Sequence, residues 1–255
     1  MKLTIGIVIQ ARLDSHRFPG KVMKNILGRP MMWHVIERCK RFCECDSIVL
    51  ATSSRSMDNG LVEVAKDCKV NVYTGDVNDV LDRYYRCAAK YKFDSIVRIT
   101  ADCPLIDPEI ASMAVESFLT SGLEYVRTGY SFPDGLSVEV FSFNALERTW
   151  KSAKLPSERE HVTPYMIKNP NTIPSRTIQH SSNLSRYRFT VDYEEDLLFV
   201  TQVYEALYHK NKNFGLNDVL KLLEMNTGIA RLMPTPKRDE GYKRSLAEDK
   251  RYLKS

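Results

Sequence analysis

The 255-residue sequence lacks both of the best-known phosphate-binding signatures. No G-x-G-x-x-G occurs anywhere, and Lys21 is followed by Val22 where a P-loop needs Ser or Thr, with no glycine at the required upstream spacing. These absences weigh against ATPase, GTPase and dinucleotide-dehydrogenase readings. The longest apolar runs fall far short of a membrane span, and no signal-peptide pattern precedes Leu3. Cysteines stand at 39, 43, 45, 68, 87 and 103, but no second C-x-x-C or H-x-x-x-H pair completes a zinc site around the first three. They read as small buried or surface thiols, in keeping with a reducing cytoplasm. The net charge is only +5, and its excess sits between Arg231 and Lys254 interspersed with acids. With no aromatic-interleaved basic stripe, neither a nucleic acid nor a membrane is expected as a partner.

What is present is concentrated near the amino terminus. Leu3–Ile9 is an apolar run that predicts a buried β-strand. Directly after it, Gln10-Ala-Arg-Leu-Asp-Ser-His-Arg-Phe-Pro-Gly-Lys21 places Arg12, Arg17 and Lys21 within ten positions. A loop with that charge, at the carboxyl end of a strand, suits a polyanion such as a nucleoside triphosphate.

Strand and helix patterns then alternate. Strands are predicted at Ser47–Thr52, Val70–Tyr73 and Ser95–Ile99, with helices from Met31, over Leu61–Asp67, over Asp79–Tyr91 and over about Pro108–Thr120. This rhythm predicts an α/β fold with a single mainly parallel sheet flanked by helices. Beyond Gly122 it changes. Short strands are expected at Tyr125–Arg127 and Ser137–Phe141 around a Pro133-Asp-Gly135 turn, and helices at about Asn144–Lys154 and Ser157–Ile167. A late strand is expected at Arg186–Val191, then helices at Glu194–Tyr208 and Leu216–Met225. The expected organisation is one domain over 1–228, with an acceptor-side part at about 122–170, and a charged arm or tail over 229–255.

In a parallel sheet the loops Gln10–Lys21, Thr52-Ser53-Ser54, Thr74-Gly75-Asp76 and Thr100-Ala101-Asp102 share one edge and converge on one cleft. Asp102, and Asp192 after the late strand, are the carboxylates for a Mg2+ site facing a triphosphate, because that hard cation takes one or two carboxylates with phosphate oxygens and water. Asp192 equally fits a helix N-cap. His161 fits a general base or a helix-face histidine. Glu139 fits a solvent-facing position or the cleft wall. Tyr84 and Tyr85 read as helix packing.

These residues carry a family resemblance. Gln10-Ala-Arg12 with Arg17-Phe-Pro-Gly-Lys21 resembles the N-terminal signature of cytidylyltransferases that activate acidic sugars, such as the 3-deoxy-manno-octulosonate and acylneuraminate enzymes. Asp79-Val-Leu-Asp-Arg-Tyr-Tyr85, Arg98-Ile-Thr-Ala-Asp-Cys-Pro-Leu-Ile-Asp-Pro108, Pro133–Phe143, Ser157–Tyr165 and Arg188–Asp196 narrow it to the spore-coat-polysaccharide (SpsF-like) branch, over about Leu3–Met225. The resemblance implies a glycosyltransferase-A-like nucleotidyltransferase fold and transfer of CMP from CTP to an acidic sugar or sugar phosphate, with release of pyrophosphate. It implies that Arg12 and Lys21 hold the triphosphate, with Ala11 near the base and Arg17 supporting the loop. Gln10, Thr52, Thr74, Gly75, Thr100 and Ala101 fall on the nucleotide side, as do Asp79 and Arg83. Asp102 and Asp192 would bind Mg2+, and Arg12, Lys21 and Asp102 would carry the chemistry. Glu139, Arg159, Glu160 and His161 would line the acceptor side. A homodimer through the segment after the fourth strand–helix unit is compatible with it. The chain departs from the pattern at Asp14 and His16, and at Tyr193-Glu194, which replace the usual Thr-Pro. A nucleotide-sugar-dependent glycosyltransferase and a non-catalytic nucleotide-binding protein are the alternatives. The first lacks a second Asp after Asp102.

Overall fold

The computed structural model describes residues 3–42 and 45–254. Cys43 therefore lies outside the described residues, and Cys39, Cys68, Cys87 and Cys103 are buried thiols. The architecture follows from β1 (Ile5–Gln10), whose first five residues are all buried. Ile5, Ile7 and Ile9 belong to one apolar core and Val8 to a second on the opposite face. A strand apolar on both faces must be covered on both. It sits inside a seven-stranded sheet of order β5-β4-β1-β6-β8-β7-β9. Here β4 is Ser47–Ser53, β5 Asn71–Gly75, β6 Ser95–Thr100, β7 Tyr125–Thr128, β8 Glu139–Ser142 and β9 Ser175–Ile178. The pairs joining β5, β4, β1 and β6 are parallel, whereas β8 is antiparallel to both β6 and β7. A small hairpin of β2 (Asn25–Ile26) and β3 (Arg29–Pro30) leads into the first helix.

Helices α1 (Met31–Cys39), α2 (Asn59–Asp67), α4 (Pro108–Ser121), α8 (Glu194–Leu207) and α9 (Leu216–Met225) cover the Ile7 face. The Val8 face is covered by α3 (Val80–Tyr91), α5 (Phe143–Ser152) and α7 (Pro164–Lys168). On α3 the buried Val80, Leu81, Tyr84, Cys87 and Ala88 repeat at helical spacing. Tyr84 donates to Val8 O across the core, and Tyr85 stacks on Trp150 at 4.2 Å. Both tyrosines are thus structural, as their spacing indicated. Among the described residues no helix is long and apolar enough to cross a membrane.

Three expectations are corrected. Arg186–Val191 does not join the sheet. Its one ladder contact is a bridge from Arg188 to Asp134, with Phe189 N–H donating to Asp134 O at 2.6 Å and Val191 N–H to Asp102 O at 2.8 Å. The edge strand is instead β9, whose exposed residues carry no apolar alternation to betray it. The helix expected over Ser157–Ile167 is broken into α6 (Pro156–His161) and α7 by Val162, which adopts φ 71°. Pro164 then opens α7 at its first position, where a missing N–H costs no helical hydrogen bond.

The third correction concerns the charged tail. Residues 227–232 form α10 (Thr227–Leu232), and Glu240–Tyr252 form α11, which packs against α6. Asp249 is buried and accepts from Ser157 N–H at 2.8 Å and Ser157 Oγ–H at 2.6 Å. The charges that suggested a solvated arm are partly spent on this docking.

Gly135, at φ 96°, ends the turn that holds the Arg188–Asp192 segment. A Cβ there would lie 2.4 Å from Thr190 N and 2.6 Å from Phe189 C, both backbone atoms that cannot swing aside. Gly135→Ala is expected to destabilise the protein by roughly 2–4 kcal/mol, combining left-handed strain with overpacking. Urea denaturation measures this, and an unchanged midpoint contradicts the packing described.

Candidate active site

The loop after β1 is pinned from beneath. Leu13 N–H donates to Asp58 Oδ1 at 2.8 Å, Gly20 N–H to Leu13 O at 2.9 Å, and Ser53 to Asp58. Arg55 pairs with Asp14 at 2.9 Å. The loop after β4 therefore supports the first loop, and Thr52–Ser54 does not line the cleft. Gly75 serves a similar role, since its Cα faces the Arg83 side chain and leaves no space for a Cβ without contact at 3.1 Å. Arg83 donates to Asp76 O and Val77 O, which ties the third loop to α3. Thr74 is exposed on the same edge, away from the cleft.

The loop closes with Gly20 at φ 68° and one turn of 3-10 helix over Lys21–Met23, which turns Lys21 inward. Its buried Nζ donates to Asp102 Oδ2 at 2.9 Å, Asp192 Oδ1 at 2.8 Å and Val191 O at 2.7 Å. All three ammonium protons are thus satisfied. Burial alone would lower the Lys21 pKa, but the two aspartates hold it above its ordinary value. Burial would likewise raise Asp192, but Lys21 and Arg17 draw it down to about 2, and Lys21 also lowers Asp102.

Asp192 is anchored from behind by Arg188, a fully buried guanidinium. It forms a bidentate pair with Asp196 at 2.7 and 3.0 Å and reaches Asp134 at 2.9 Å and Asp192 Oδ2 at 3.2 Å. The cap of α8 is made by Asp196, which accepts from the N–H groups of Asp192 and Tyr193. The Asp192 carboxylate is not the cap and faces the cleft.

That cleft has a volume of about 250 Å3. Gln10, Ala11 and Arg12 line it with Thr100, Ala101 and Asp102 from the end of β6. Arg17, Lys21 and Asp192 close one side, and Arg83, Glu160 and His161 another. Arg98, Gly241 and Arg244 join them although the sequence reading passed them over. Gln10 Oε1 is buried with no hydrogen-bond partner. Six Arg and Lys side chains face four Asp and Glu side chains in this lining, which suits a polyanionic ligand. An adjoining recess is lined by Asp79, Arg159, Arg12, Glu160 and Arg244. There Asp79 caps α3 through Asp82 N–H and pairs with Arg159, so these two side chains occupy one another.

Glu139 lies outside both cavities. The expected in–out alternation fails because β8 runs between β6 and β7 and is buried on both faces. Its carboxylate pairs with Arg98 and accepts from Tyr125, and so holds Arg98 toward the cleft. His161 is the last residue of α6. It lines the cleft, and its Nε2 lies 2.9 Å from Ser245 Oγ, which is 2.6 Å from Glu160 Oε2. Burial lowers its pKa from 6.5, with Arg98, Arg12 and Arg244 adding to the shift against Glu160. Val162, next in the chain, adopts a backbone conformation rare for a β-branched residue.

A mainly parallel α/β sheet with a cationic cleft at the carboxyl ends of its strands suits an enzyme that binds an anionic ligand, and the sequence match makes it a nucleotidyltransferase. The chain belongs to the cytidylyltransferase family, whose sequence model matches residues 6–223. It is 37% identical over 227 residues to the uncharacterized protein MJ1063 of Methanocaldococcus jannaschii, covering 88% of this chain and 92% of that one. It is 26% identical over 233 residues to the spore coat polysaccharide biosynthesis protein SpsF of Bacillus subtilis, covering 89% and 96%. The solved structure of a cytidylyltransferase from Leptospira borgpetersenii serovar Hardjo-bovis superposes with a TM-score of 0.85 at 31% identity, over 89% of this chain and 96% of that one. The family match ends before α10 and α11.

Lys21→Met removes the cation shared by Asp102 and Asp192, leaving Asp192 to Arg17 and Arg188 and Asp102 with no ion pair among the described residues. The expected loss is roughly 3–5 kcal/mol of stability at pH 7, with a rise in the Asp192 pKa read by carbonyl NMR. An Asp192 pKa equal to that of the unchanged protein would exclude Lys21 as the group that lowers it.

Proposed function

We propose that this cytidylyltransferase moves CMP from CTP to a small acidic sugar or sugar-phosphate acceptor, releasing pyrophosphate, for surface polysaccharide or glycan synthesis in the cytoplasm. The observation that carries this reading is Lys21 joined to Asp102 and Asp192 at the mouth of a cleft flanked by Arg12 and Arg17. The polysaccharide assignment draws on the relative named for spore coat polysaccharide biosynthesis.

Arg12, Arg17 and Lys21 bind the triphosphate and neutralise charge gathering on the departing pyrophosphate. Gln10 has an unpartnered buried amide oxygen in the cleft lining, and a nucleobase amine would supply the missing donor. Two carboxylates meeting on one cation fit the donor set of Mg2+, and that position is taken here by the Lys21 ammonium. Asp102 and Asp192 would hold the ion, which when bound neutralises phosphate charge and polarises the α-phosphate. The acceptor hydroxyl oxygen bonds to the α-phosphorus as the bond to the bridging β-oxygen breaks. Pyrophosphate leaves with that electron pair. Ser245 donates to Glu160 and so accepts from His161 Nε2–H, which leaves Nδ1 of the neutral imidazole to receive the hydroxyl proton.

Pyrophosphate release against sugar carboxylates and sugar phosphates, with CTP, UTP, ATP and GTP compared, tests the reaction. CTP is expected to be preferred, and preference for a purine nucleotide overturns the assignment. Asp102→Asn and Asp192→Asn are each expected to lower kcat/KM about 100-fold or more. The pH profile supplies a further check. Because the folded His161 pKa lies below 6.5, activity is retained at neutral pH and falls only on acidification below 6.5. His161→Gln is expected to remove that acid limb and lower kcat about 100-fold. An unaltered acid limb in this variant would assign the proton to another group.

A further inference from the structure

Helix α11 lies beyond the span matched by the family, yet it supplies Gly241 and Arg244 to the cleft wall. Arg244 is the one residue of α11 that faces the main cleft and the adjoining recess alike. Its guanidinium makes no hydrogen bond or ion pair among the described residues. Two other guanidinium groups converge on the same place. Arg12 comes from the first loop and is balanced by Glu160 at 3.3 Å. Arg98 comes from β6 and is balanced by Glu139, but its buried Nε has no partner. All three lie near enough to His161 to disfavour its protonation.

We infer that Arg244, with Arg12 and Arg98, forms an oxyanion subsite beside His161 that captures the carboxylate or phosphate of the acceptor. The inference rests on the proposed function and deepens it. Three guanidinium groups share two carboxylate partners, so one positive charge is left over at the junction of the cleft and the recess. A guanidinium fork matches an oxyanion in charge and geometry, and its planar donors reward two oxygens on one centre. A neutral sugar offers neither. Docking of α11 through Asp249 on Ser157 and Ser245 on Glu160 and His161 fixes the helix backbone that presents Arg244, whose exposed side chain is left to meet a ligand. Specificity for an anionic acceptor therefore resides partly in a helix that the matched family span does not include. Arg12 also serves the triphosphate, so it sits between the two anions, and Arg244 belongs to the acceptor alone.

The test loads the full chain with Mg2+ and cytidine 5′-(α,β-methylene)triphosphate, which cannot react, and titrates three probes calorimetrically. The probes are N-acetylneuraminate, glucose 1-phosphate and glucose. At least one anionic probe is expected to bind at least 10-fold more tightly than glucose, and the preferred one names the oxyanion as carboxylate or phosphate. Arg244→Ala is expected to weaken that probe about 10- to 100-fold while affinity for the nucleotide analogue stays within about 2-fold. Arg244→Lys should recover part of the loss. Lys250→Ala, an exposed cation on the same helix away from the cleft, should change neither affinity. Glucose binding as well as both anions, no binding of either anion, or an Arg244→Ala affinity equal to that of the unchanged protein each overturns the subsite. Failure of the nucleotide analogue to bind would instead strike the proposed function itself.

Discussion

The structure of the cleft depends on one ammonium group. Lys21 Nζ is shared by Asp102 and Asp192, residues 81 and 171 positions away in the chain. The first loop, the end of β6 and the entry to α8 meet there. Two carboxylates this close, one buried and one half-buried, repel each other unless a cation lies between them. Arg188 performs the same service one layer deeper, with Asp134, Asp192 and Asp196 around a guanidinium that sees no solvent. The cost of burying so many charges is offset only because nearly every donor and acceptor is matched. Such a network fixes geometry more than it adds stability.

The cleft uses its parallel strands unevenly. Loops after β1 and β6 reach the cavity, whereas the loop after β4 braces the first through Asp58 and the loop after β5 is tied to α3 by Arg83. The shared sheet edge thus splits into a working half and a supporting half. Opposite the working half stand α6 and α11, which bring Glu160, His161 and Arg244 to the same volume. Charge follows this division, with phosphate-directed cations and paired acids on the sheet side and guanidinium groups around a neutral imidazole on the helix side.

Much of this was legible in the residues themselves. β1, β4, β6 and the helices α3, α4, α8 and α9 announced themselves by period and caps, and the polar loops after those strands marked the working edge. The failures have definite causes. β9 is a short exposed strand with no buried face to pattern it. Arg186–Val191 has strand composition but pairs with a turn, because the neighbouring sheet position is filled by β8. Glu139 looked amphipathic because a buried carboxylate and a solvated one read alike until the partner, Arg98, is known. Arg98 and Arg188 were hidden for the complementary reason, since arginines in apolar segments signal a buried ion pair only when an acid nearby in sequence is recognised as its mate. For Arg188 that signal existed in Asp192 and Asp196, four and eight residues on. For Arg244 there was none, because its role arises from where α11 docks.

Diffraction from crystals grown with CTP and Mn2+, using the anomalous signal of manganese, tests the central claim most directly. The expected result is a manganese peak shared by the Asp102 and Asp192 carboxylates, with Lys21 transferred to the phosphates of a nucleotide lying in the cleft. A nucleotide bound elsewhere, or a cleft in which Lys21 still bridges both aspartates and no metal appears, would contradict it.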